Sequence, residues 1–208
     1  MNENSKAVED DLLALAAMSD DEIDTSDIPE RTNFKGGVRR RFFNLSLREY
    51  DVRAIANWCI AKAKSAGVRT SSLWLNKLVF FIYEGALVHN RVLLTPARTE
   101  AWDHGPVFRE IFSQTDGDKE VEFLTKFDVE LRTRVLAEEK FQELDIALFE
   151  SIWNKYGHLS ASEVRRISHL EGTPWYKVWY QADVPNPGKV IDINDIIGHI
   201  GLNYGKDS

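Results

Sequence analysis

Apolar residues recur at helical intervals along most of the chain. From Tyr50 onward, Val52, Ile55, Ala56, Cys59, Ile60 and Ala63 fall on the spacing that lines one face of an α-helix. Gly67 stops that helix, since glycine readily takes the left-handed conformation that terminates one. A second helix starts with Ser71 or Ser72 as N-cap and places Leu75, Leu78, Val79, Ile82, Tyr83 and Ala86 on the same interval. Being apolar nearly all round, it is predicted to be the central buried helix.

The period then changes. "RVLLTPARTEAW" carries β-branched and aromatic residues around a Thr-Pro break and predicts a short two-stranded ribbon. Gly105-Pro106 follows, with Pro106 suited to a first helical turn, so Val107, Phe108, Ile111 and Phe112 are predicted to continue as a helix. "QTDGDKEVEF" reads as a loop, and the charged run from Lys126 to Lys140 fits a strand or a helix. Leu144, Leu148, Phe149, Ile152, Trp153 and Tyr156 make a further amphipathic helix stopped at Gly157. Ser160 and Glu163 stand in capping-box register before Val164, Ile167 and Leu170. Pro174 opens a short helix through Trp175, Val178 and Trp179, whose two indoles share a face. Asp192 caps a last helix that turns Ile193, Ile196, Ile197 and Ile200 inward. The expected fold is mainly α: a compact helical domain with a small two-stranded β-ribbon, preceded by a mobile N-terminal arm. The boundary is placed between residues 48 and 49, giving an arm over 1–48 and a domain over 49–208.

Composition sharpens the division. The net charge of -7 conceals ten acids against Lys6 in residues 1–30, followed by six bases and no acid in residues 31–48. So charged a segment, with few aromatics, does not bury enough surface to offset its ordering entropy. Its anchors for a partner would be Leu12, Leu13, Leu15, Ile23 and Ile28, then Arg39, Arg40 and Arg41 beside Phe42 and Phe43. No run of about 18 apolar residues is present and the N-terminus is acidic where a signal peptide is basic, so a cytoplasmic location without membrane contact is expected.

Chemistry-bearing residues do not assemble into a catalytic pattern. The lone Cys59 lies on the apolar face of a helix and reads as core. Neither H-x-x-x-H nor a Cys/His cluster offers metal ligands, and no glycine-rich phosphate cradle occurs. Neighbours on a strand point apart, so Asp103 would not orient His104 as a triad acid does. Trp102 is expected to brace the ribbon and His104 to cap the following helix. No catalytic residue, metal or cofactor is therefore expected, and the protein is read as a non-enzyme.

Four motifs in order, L-x-K-L within "LNKLVFFIY", E-A-W-x-x-G-P-V, Y-G-x-L-S-A-x-E and H-x-E-G-x-P-W, resemble the Panacea domain, the SocA-like or GepA-like antitoxin domain of bacterial and prophage toxin-antitoxin pairs. With "IDINDIIGHI", the resemblance spans roughly residues 50–203. The acidic "MSDDEIDTSDIPE" is similar to segments preceding BrnA-like antitoxin domains. The resemblance implies an antitoxin that neutralises a co-encoded toxin by direct stoichiometric binding. It marks Lys77, Trp102, Gly105, Pro106, His169, Pro174 and Trp175 as signature positions; His104 joins them as a candidate for the recognition surface. Asn76 departs from the glutamine of many relatives, as does the long charged stretch 116–140. The expected partner is a cognate protein toxin, in a higher complex or beside a homo-oligomer. Two alternatives are an adaptor that delivers a partner to a protease and an autoregulatory protein that binds nucleic acid through "VRRRFF"; the flanking acids and a pI near 5.3 disfavour the latter.

Overall fold

A computed structural model describes residues 45–117, 119–180 and 188–198. The residues assigned to the acidic and basic arm up to Asn44, together with Ile200, lie outside the described residues, so the arm's predicted anchors do too.

The first two helices pack as their patterns require. α1 (Val52–Ala66) is capped by Asp51, whose carboxylate accepts the Arg53 backbone N–H at 2.9 Å. Gly67 closes it at φ 67°, and the predicted face from Val52 to Ala63 is buried. α2 (Ser72–Gly85) is capped by Ser71 and is buried around almost its whole circumference, which makes it the axis of the core. It runs on through one wide π-type turn over Ala86–Asn90, and Arg91 reverses the chain at φ 55°.

β1 (Ser46–Leu47), inside the stretch assigned to the arm, pairs in parallel with β2 (Val92–Leu93). Just beyond it, the buried Asp145 accepts from Tyr50 Oη at 2.9 Å and from Arg48 Nε at 2.8 Å. These bonds pin the start of the described chain to α4 (Glu143–Ile152). Here the prediction for α4 is corrected: Leu144 is 75% exposed and the inward residue of the first turn is Asp145. A partnered carboxylate there takes the place of a hydrocarbon.

The ribbon is also placed differently from expectation. β3 (Thr99–Trp102) pairs antiparallel with β4 (Gly105–Phe108), not with the 91–95 segment, in a register that sets Trp102 opposite Gly105. Pro106 therefore lies in a strand and not in a helix. It is tolerated because β4 is an edge of a three-stranded sheet whose other edge is β7 (Lys189–Val190). Only Arg109–Phe112 turn helical, as α3. Asp103 and His104 form the hairpin turn, so His104 caps no helix, and its Nδ1 lies 3.4 Å from Asp103 Oδ2.

The charged run resolves into a second hairpin, β5 (Thr125–Asp128) with β6 (Thr133–Leu136). Asn57 of α1 clamps its base: the side-chain amide donates to the Leu124 and Ala137 carbonyls, each at 2.8 Å, and its oxygen accepts the Leu124 N–H at 2.7 Å. After the wide turn Trp153–Gly157 comes α5 (Ala161–Ser168), with both halves of the Ser160–Glu163 capping box formed. Leu170, expected inward, is 47% exposed because α5 stops at Ser168, which takes the buried place. α6 (Pro174–Tyr180) and α7 (Ile193–Gly198) complete a mainly helical body. Among the described residues no helix is long and apolar enough to cross a membrane.

Candidate recognition site

The signature residues converge on the β3–β4 hairpin from three helices. α2 brings Lys77 beneath it, fully buried, with Nζ donating to the Pro106 carbonyl at 2.9 Å. Burial, and secondarily the nearby Arg165 guanidinium, pulls the Lys77 ammonium down to about 7. One helix position earlier, Asn76 accepts the Phe108 N–H at 3.0 Å and donates to the Ser72 carbonyl at 2.9 Å. So α2 holds β4 at two successive points.

Gly105 is obligatory for a visible reason. Its φ is +102°, and a Cβ there would lie 2.5 Å from Lys77 Cε and 2.8 Å from Ser168 Oγ. The chain passes so close to Lys77 and α5 that only a hydrogen fits.

α6 and the turn after α5 secure the other flank. Trp175 Nε1 donates to the Trp102 carbonyl at 2.8 Å, and its ring centroid lies 3.8 Å from that of His169. His169 Nδ1 lies 2.7 Å from the Arg165 carbonyl and Nε2 3.2 Å from the Asp103 carbonyl. Those carbonyls favour the protonated ring, but burial outweighs them and holds His169 below the ordinary histidine value. Pro174, also buried, opens α6 and sets Trp175 at the start of its first turn. His169, Pro174 and Trp175 are thus structural supports of the hairpin.

Trp102 is half-exposed and braces the surface more than the core. Its Nε1 donates to Glu100 at 3.0 Å, its ring packs against Phe112 at 4.8 Å, and Arg109 stacks over it while donating to Glu100 at 2.6 Å. These two bonds hold the Glu100 carboxyl below its ordinary value against a desolvation effect of opposite sign. Between Trp102, the turn, α2 and Arg165 opens a cavity of about 510 Å³.

Asn76 and Arg165, which sequence reasoning did not single out as site residues, therefore belong to the same constellation. Asn76 was visible in the sequence only as a departure from the glutamine of many relatives beside the Lys77 signature. Cys59 is a fully buried core residue whose thiol is pushed up by desolvation, which removes it as a nucleophile. His158 is exposed and packs edge-on to Trp153. Among the described residues no group of three or more His, Cys, Asp or Glu could hold a metal ion.

A helical scaffold thus locks a short hairpin from beneath and leaves the side chains of its turn exposed. Residues 75–176 match the family model described as antitoxin SocA-like, Panacea domain. Across 128 residues, 60% of this chain and 68% of the relative, the sequence is 28% identical to Antitoxin SocA of Caulobacter vibrioides (strain NA1000 / CB15N). No solved structure matches the chain.

Proposed function

We propose that this protein is the antitoxin of a toxin-antitoxin pair and neutralises a co-encoded protein toxin in the cytoplasm by occupying it in fixed proportion, without catalysis. The observation that carries the reading is the match of residues 75–176 to the Panacea domain model, supported by the similarity to Antitoxin SocA. The surface is consistent with a protein partner. Phe123, Phe127, Val129 and Leu131, on and beside the β5–β6 hairpin, are each more than half exposed, an apolar display that typically marks an interaction site. In this reading the domain supplies the anchored contact through its two hairpins, and the acidic residues 1–30 add attraction for a basic toxin surface.

The test is a titration in a cell-free system poisoned by the product of the adjacent reading frame. Rescue should be complete only once the two proteins are equimolar, with both recovered intact in one complex. Rescue by trace amounts would identify an enzyme. A shortened half-life of the partner in cells would identify a protease adaptor. Either result overturns the proposal, and deletion of residues 1–44 measures the arm's separate share.

A further inference from the structure

The cavity beside the β3–β4 hairpin carries an imbalance of charge. Lys77 lies beneath its floor, fully buried, with its Nζ donating to the Pro106 carbonyl. Among the described residues no carboxylate lies within ion-pair distance of it. Arg165 lines the same cavity from α5, is exposed, and likewise has no carboxylate partner among the described residues. Among the described residues the one acid on the lining is Asp103, at the turn, with its side chain 78% exposed and beside His104. The walls between these groups are apolar: Leu73, Trp102, Val107 and Phe112.

A cation buried without a counter-ion is costly, so Lys77 gives up its proton readily until an anion arrives, while Arg165 supplies the standing positive charge at the cavity. The volume matches that of a small-molecule pocket or of one inserted side chain with its neighbour. Asp103 at the mouth disfavours a dianion such as phosphate. Asn76 has both ends of its amide engaged, leaving charge rather than amide recognition to select the occupant.

We propose that this cavity binds a single carboxylate borne on an aryl or alkyl body: the carboxylate lies over Lys77 and pairs with Arg165, and the apolar part rests between Leu73, Trp102 and Phe112. A free organic acid and an Asp or Glu side chain of a bound polypeptide share this chemistry. The site is independent of the antitoxin reading, which the toxin titration tests on its own.

The experiment uses the full chain with isotope-labelled Trp and His, and three probes: 3-phenylpropionate, its neutral isostere 3-phenylpropanamide, and the blocked peptide N-acetyl-Glu-Phe-amide. The site predicts saturable shifts of the Trp102 indole N–H and the His104 ring, with an acid binding about tenfold tighter than the amide. Arg165→Gln, at an exposed side chain with no bonds of its own among the described residues, should remove most of that preference and leave the spectrum otherwise folded. Saturation by phenylpropionate alone assigns a free acid as the occupant, and saturation by the peptide assigns a polypeptide side chain. The site is refuted if no probe shifts Trp102, if the amide binds as tightly as the acid, or if Arg165→Gln keeps the preference.

Discussion

Lys77 and Gly105 fit together as a peg beneath a hole: the lysine Cε occupies the space where any other residue at position 105 would carry its Cβ, 2.5 Å away. Gly105→Ala therefore suffers twice, from a side chain at φ +102° and from the collision with Lys77 and Ser168. The expected loss is about 3 kcal/mol in urea unfolding. Gly67→Ala is the control for a left-handed residue in open space, since its φ is +67° and nothing lies within 4 Å. It should lose only about 1 kcal/mol, and equal losses would dismiss the collision.

Two buried charges on α2 give opposing pH dependences. Glu84 is pushed up from 4.5 to about 7 by burial, with Lys155 partly offsetting, so the folded form holds a proton that the unfolded chain has released. Its contribution is present below 4.5 and lost as pH rises toward 7. Lys77 is pulled down from 10.5 to about 7, so above 7 the folded form is neutral while the unfolded chain stays charged until 10.5. Stability then climbs with pH. Relative to a Lys77→Met, Glu84→Gln double variant, the natural protein should be least stable near pH 7. A gain of at least about 2 kcal/mol is expected by pH 9.5. A flat difference across pH 5 to 9.5 in urea titrations would contradict it.

Asp145 holds Tyr50 and Arg48 together from inside the core. Asp145→Ala strands a buried hydroxyl and a mostly buried guanidinium, for an expected loss of about 3 kcal/mol. Hydrogen exchange should show Tyr50 and the β1–β2 pairing loosening first.

On the hairpin turn, Asp103 and His104 expose most of their side chains. Replacing both by Ala should leave stability within about 0.5 kcal/mol yet weaken toxin neutralisation in the equimolar titration. A loss of stability without loss of neutralisation would assign the turn a purely structural role.

The helices were legible because periodicity reports which face is covered, and α1, α2 and the capping box at Ser160 followed directly from it. The convergence of the signature residues was legible only as resemblance, since Lys77 and Trp175 meet the hairpin across long sequence separations. Local propensity misread two kinds of place. At Pro106 the helix-start preference yielded to an edge strand, where a missing N–H costs nothing. At Leu144 and Leu170 the apolar period ran past the real limits of the buried face, because Asp145 and Ser168 fill the inward positions with hydrogen-bonded polar groups. Nothing along the chain announces such partners, since Tyr50 and Asp145 stand 95 residues apart.

The bonds that fix the β3–β4 hairpin reach it through backbone atoms: the carbonyls of Trp102, Asp103 and Pro106. The side chains at the tip carry almost none of that work. Mutation can therefore rewrite the fingertip while the knuckle beneath stays as it is.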